Sequence, residues 1–234
     1  MNNLLEIAVF SVEAALIADE AGADRLELCN GYAEGGITPS FGTIQLVKQR
    51  VKCPVYVMIR PRAGNFQYSS IEIEVMKSDI AQCKLLNADG IVLGLLDENG
   101  QIDKAVIKNL VALSSPLPVT FHRAFDLCHD PLEALEMLIE CGVKRILTSG
   151  QKSSAMEGSD FIAELNKKAN GRIIIMPGAG INPGNISDIK TQTSCSEFHA
   201  SAKRITASTD AFGFGENVLP HPEIIAELKK KLSL

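Results

Sequence analysis

The segment PVTFHRAFD, Pro118–Asp126, decides how this chain is read. Val119, Phe121 and Arg123 alternate with Thr120, His122 and Ala124, the two-residue period of a β-strand. Val119 and Phe121 are bulky enough to pack against helices, which leaves Thr120 and His122 on the other face. A parallel strand covered on both faces should read almost wholly apolar. Polar residues at its C-terminal end therefore carry information, and several other strands of the chain end in the same way.

On either side of that segment the same grammar repeats. Strands are expected at Leu4–Val9, Arg25–Cys29, Val55–Ile59, Gly90–Leu96, Arg145–Ser149, Arg172–Met176 and Glu197–Ala202. Helices are expected between them, at Val12–Ala21, Phe41–Arg50, Ser69 to Leu86, Asp103–Leu113, Asp130 to Cys141, Ser159–Ala169 and Asn185–Thr193, with Glu223–Leu232 closing the chain. Ser69 and Glu72 have the spacing of a capping box, and Asp130-Pro131-Leu132-Glu133 combines a cap, a first-turn proline and an acid. GADRLEL, NADGIVL and CGVKRIL (from Gly22, Asn87 and Cys141) share one pattern of helix end, turn and strand. Eight βα units with no dividing linker predict one domain, a closed (β/α)8 barrel. The doubly wound sheet is the alternative, but no GxGxxG follows the first strand.

The totals narrow the function classes. The 234 residues carry a net charge of −5 and a pI near 5.5, which argues against a nucleic-acid surface. There is no apolar run of membrane length, and MNNLLEIAVF lacks the basic start of a signal peptide. Cys29, Cys53, Cys83, Cys128, Cys141 and Cys195 are scattered without a CxxC pair. They read as reduced, mostly buried thiols of a cytoplasmic protein, with no zinc site of standard spacing.

Helix-to-strand connections are short, whereas the strand-to-helix ones are longer and rich in Gly, Pro and Ser. In a barrel the latter lie on the C-terminal face, where active sites are built. Strand parity points Glu6 and Ala8, Glu27 and Cys29, Tyr56, Met58 and Arg60, His122, and His199 and Ser201 inward, with Lys203 just beyond. Two carboxylates, a guanidinium and two imidazoles thus converge on the mouth. Glu6 and Glu27 lie deep enough to be either site residues or an internal ion network. His122 and His199, nearer the strand ends, are acid/base candidates. Asp126 either orients a partner or ends its strand. Ser149-Gly150 and the Gly178 and Gly180 of PGAG are candidates to face an anion, although tight turns explain the glycines equally well. Arg60 and Arg62 could clamp the same anion. Phe212 and Phe214, apolar within the polar loop Lys203–Pro220, point to a homodimer or to a lid.

The runs RLELCNGYAEGGITPSFG, VMIRPRAGNFQYS, GIVLGLL, PVTFHRAFD, RILTSG, IMPGAGI and EFHASA closely resemble the CutC family. They extend from the first strands to the eighth. The resemblance implies a TIM barrel and a cytoplasmic protein linked to copper homeostasis and copper(I) binding. Family members proposed to bind copper carry a cysteine on each of the first two strands. Here the second is Cys29 and the first position is Ala8, taken to lie at an equivalent place on the neighbouring strand, so copper(I) binding is expected to be weak. The family's SGG after the sixth strand reads Ser149-Gly150-Gln151. The residues of the mouth support a second reading: an isomerase or lyase acting on a small anionic, phosphorylated or carboxylated metabolite.

Overall fold

The computed structural model describes residues 3–203 and 218–233. Among these, strands and helices alternate as β1 (Leu4–Val9), α1 (Val12–Glu20), β2 (Arg25–Leu28), α2 (Phe41–Arg50), β3 (Val55–Met58), α3 (Ser70–Leu85), β4 (Gly90–Leu93), α4 (Lys104–Ser114), β5 (Val119–Phe121), α5 (Pro131–Glu140), β6 (Arg145–Thr148), α6 (Ser159–Ala169), β7 (Ile174–Pro177), α7 (Ile186–Thr193), β8 (Glu197–Ala200) and α8 (Pro222–Ser233). The strands form one parallel sheet in the order β7-β6-β5-β4-β3-β2-β1-β8. Its two ends meet: a side-chain carbon built on Gly178, just past β7, would lie 3.4 Å from Cβ of His199 in β8. The fold is a (β/α)8 barrel.

Local chemistry sets the helix starts. Ser11 accepts from the Ala14 N–H, Asp130 accepts from Leu132 and Glu133, and Ser69 with Glu72 forms the reciprocal capping box. Several strands stop short of their sequence limits. β4 ends at Leu93 rather than Leu96, β8 at Ala200 rather than Ala202, and β7 begins at Ile174 rather than Arg172. The largest departure is Arg123, expected on strand five. β5 ends at Phe121, and Arg123–Leu127 forms a 3-10 turn. His122 is its cap, and the Ala124 N–H turns back on the imidazole.

The alternation along the strands holds. Leu5, Ile7, Leu26, Leu28, Val57, Phe121 and Phe198 face the helices and are fully buried. Each such side chain contributes roughly 1.5–3 kcal/mol of transfer free energy. Inside the barrel the lower layer is ionic. Arg25 pairs with Glu6 and, at 2.7 Å, with Glu197, while Arg145 holds the same Glu197 and Thr120. Arg25 also reaches Met176 Sδ at 3.3 Å. This network ties β1, β2, β5, β6, β7 and β8 together beneath the mouth. Glu6 thus joins an internal ion network, whose other members Arg25, Arg145 and Glu197 share its inward parity.

Lys203 and Pro220 pair in an isolated antiparallel bridge. Phe212 and Phe214, on which the dimer and lid expectations rest, lie outside the described residues.

Candidate functional site

A cavity of about 340 Å³ opens where the strands end. Glu27, Arg60, His122, His199, Cys29 and Lys203 all line it, each at or just past the C-terminal end of its strand. Glu6 lies one layer below, without solvent exposure.

His199 sits between two carboxylates. Its Nδ1 is 2.7 Å from Glu6 Oε1 and its Nε2 is 3.7 Å from Glu27 Oε2. Burial works against the imidazolium, but the charges of Glu27 and Glu6 outweigh it and hold His199 above its usual range. Burial also pushes the Glu6 carboxyl up, yet Arg25 and His199 prevail and bring it down to about 2. Glu27 goes the other way. Burial, helped by the Glu6 charge, raises it despite His199. The two acids are therefore pushed in opposite directions, Glu6 towards the carboxylate and Glu27 towards the protonated acid.

His122 differs from His199. Its Nδ1 accepts the Ala124 N–H at 3.1 Å, so the neutral ring carries its proton on Nε2. Burial, then the nearby Arg60 charge, push it down to about 3. The neutral imidazole is thereby favoured, and in that form its Nε2–H is a hydrogen-bond donor. Its ring lies so close to Gly94 that a side-chain carbon there would come within 2.5 Å of it. Arg60 is buried and is held by the carbonyls of Glu34, Gly36 and Gly64 rather than by a carboxylate. Phe66, not singled out in the sequence, covers both groups. Its ring centroid is 4.9 Å from the guanidinium carbon of Arg60 and 4.8 Å from the ring centroid of His122.

Other candidates lie elsewhere. Arg62 turns away to Glu72 and to the carbonyls of Ala63, Asn65 and Gln67, bracing its own loop rather than clamping an anion. Asp126 accepts from the Thr148 and Ser149 hydroxyls, from the Ser149 and Gln151 N–H groups and from Arg123, so it organises the turn after β6. Those bonds occupy Ser149. Gly150 packs against the Gly158 carbonyl, which a side-chain carbon would approach to 2.4 Å. Gly178 leaves room for Leu147, while Gly180 alone of these four reaches the cavity. The Lys203 ammonium rests 4.3 Å from the Tyr32 ring centroid.

Two donor sets could hold a metal. Glu6, Glu27 and His199 bring one ligand atom each within 4.8 Å of one another, an oxygen and nitrogen set suited to harder ions than copper(I). The softer set is Cys29 with Met58, which share a small buried cluster with Tyr56 and Val92 on the inner wall. Cys29 donates to Glu27 Oε2 at 3.6 Å, and its thiol is raised well above 9.0 by burial and then by the Glu27 charge. Ala8 is not directly opposite Cys29. The register pairs Ala8 with Glu27, and Cys29 lies two residues further along β2. The strands of a closed barrel are staggered, and counting along the sequence does not reveal that offset.

Fold and mouth define a (β/α)8-barrel protein with a cavity on its C-terminal face that sets charged side chains among apolar ones. Residues 3–204 match the family model described as the CutC family. The human copper homeostasis protein cutC homolog is 55% identical over 200 residues, covering 86% of this chain and 73% of that protein. The solved structure of a CutC from Streptococcus agalactiae superposes with a TM-score of 0.81 at 36% identity, over 87% of this chain and all of that one. The chain belongs to the CutC family. A thiamine phosphate pyrophosphorylase from Pyrococcus furiosus, at 14% identity and a TM-score of 0.63 over 98% of this chain and 95% of that one, shares the fold alone.

Proposed function

We propose that this chain takes part in copper homeostasis, the role in its human relative's name, by binding copper(I) weakly in the barrel mouth. The observation that carries this reading is the pairing of Cys29 with Met58 on the cavity wall, one thiol beside one thioether. Both are soft ligands. The affinity is weak because copper(I) must displace a proton from a thiol raised by burial and by Glu27. Six free cysteines suit a reducing cytoplasm. Competition with a chromophoric copper(I) chelator tests the proposal. Wild type should surrender the metal readily and Cys29→Ser should abolish what binding there is. Ala8→Cys should hold copper(I) better, a gain that disappears when Cys29→Ser is added. Tight binding that survives Cys29→Ser would refute it.

A second reading is favoured by Arg60. A buried guanidinium on a cavity wall, with no carboxylate partner among the described residues, suits a small anionic metabolite. In this reading the mouth carries out proton-transfer chemistry of the isomerase or lyase type, with the Glu27–His199 pair moving the proton.

A further inference from the structure

Among the described residues, four buried side-chain polar atoms lack a hydrogen-bond partner: Glu27 Oε1, Arg60 Nε, His122 Nε2 and the Tyr68 hydroxyl. Three of these four belong to residues that line the same cavity. An orphaned buried polar group is costly, so three of them on residues of one cavity point to a ligand as the missing partner. The set has a definite chemistry. Arg60 Nε–H and His122 Nε2–H are two donors, one charged and one neutral. Glu27 Oε1 is an acceptor that can take a proton.

The matching ligand offers two oxygen acceptors and one mobile proton. We propose that the mouth binds a small 2-oxo acid, its keto and carboxylate oxygens held by His122 and Arg60, and that Glu27 moves the proton of the adjacent carbon. This deepens the second reading above and rests on it. Phe66 packs against both side chains and forms the apolar flank of the site.

The step balances within the site. Glu27 Oε1 takes the proton from the carbon beside the keto group. The C–H electron pair becomes the new C=C bond, and the C=O π pair moves onto oxygen. The enolate oxygen is stabilised by the His122 Nε2–H, while Arg60 holds the neighbouring carboxylate. A neutral imidazole is the better donor here because it polarises the carbonyl without giving up its proton. Glu27 then returns a proton to carbon. His199, whose Nε2 lies 3.7 Å from the other oxygen of Glu27, is placed to exchange that proton with it.

Oxalate, a flat mimic of such an enolate, is the binding probe, and pyruvate in D2O is the exchange probe. Oxalate should raise the melting temperature of wild type. Loss of the pyruvate methyl signal by proton NMR should run at least about tenfold faster than in buffer, the equivalent of 1.4 kcal/mol in barrier. Glu27→Gln should keep the oxalate response and lose the exchange, whereas His122→Phe should lose most of both. No oxalate response in wild type overturns the proposal together with the small-anion reading. A response without exchange, or exchange that survives Glu27→Gln, overturns the proposal alone. Should His122→Phe fail to fold, nitrogen-15 NMR of wild type decides. The His122 Nε2 signal should move when oxalate binds, and an unmoved signal counts against the site.

Discussion

His122 and His199 line one cavity, yet their surroundings push the two imidazoles in opposite directions, and stability should record the difference. His122 goes from an ordinary value of 6.5 to about 3 in the folded chain. The unfolded chain therefore takes up a proton below pH 6.5 that the folded chain refuses until about pH 3, so stability falls as pH drops through that window. The loss is on the order of a few kcal/mol. Urea unfolding of His122→Phe between pH 6.5 and 3 should show a shallower decline than wild type, and an unchanged slope would contradict a neutral His122. His199 has the opposite sign: its contribution is complete below 6.5 and is lost as pH rises through its raised native value. Glu6 contributes above 4.5 and loses that contribution as pH falls towards about 2. The inward positions of these groups were legible because bulky apolar residues hold the alternate places. Their protonation was not, because it depends on Ala124 in an unforeseen 3-10 turn and on partners from distant strands. Arg25 and Glu197 were readable in principle, since each stands two residues before an inward residue that was recognised.

At the scale of elements, the turn after β6 hangs on Asp126. This carboxylate gathers side-chain and backbone donors from Thr148, Ser149 and Gln151, together with Arg123. Asp126→Ala should lower the unfolding free energy by about 2–4 kcal/mol, since hydrogen bonds to charged groups are among the stronger ones. Copper(I) competition and the oxalate response should stay close to wild type, because Asp126 does not line the cavity. A selective loss of either response without loss of stability would restore it to the site. Strand and helix order was legible from period and caps, as at Ser69 with Glu72. Loop conformation was not, and Arg62 shows why: its direction is set by Glu72 and three carbonyls that only the folded loop brings near it.

For the molecule as a whole, the ionic layer under the mouth spans the place where the sheet closes. Arg25 reaches Glu197 on β8 and Met176 on β7, and Arg145 reaches Glu197 from β6. Breaking a buried network by removing one charge costs about 3–5 kcal/mol. Glu197→Gln should therefore destabilise the chain by about that amount and speed amide hydrogen exchange first in β7 and β8. The oxalate response should persist, since Glu197 lies below the cavity. Uniform exchange throughout the barrel would show that this closure is not the weak seam.

The thiols give the barrel built-in reporters. Cys29, Cys83, Cys128, Cys141 and Cys195 are buried, and burial pushes each of them up, Cys83 and Cys128 to about 12. An alkylating reagent attacks thiolates, so each of these sites should stay silent until its own part of the chain opens. Pulses of iodoacetamide in rising urea, followed by peptide mass mapping, would thus time the opening of five separate places in the unmodified protein. Cys29 would report the mouth, Cys83 α3 and Cys195 the approach to β8, without a single engineered label.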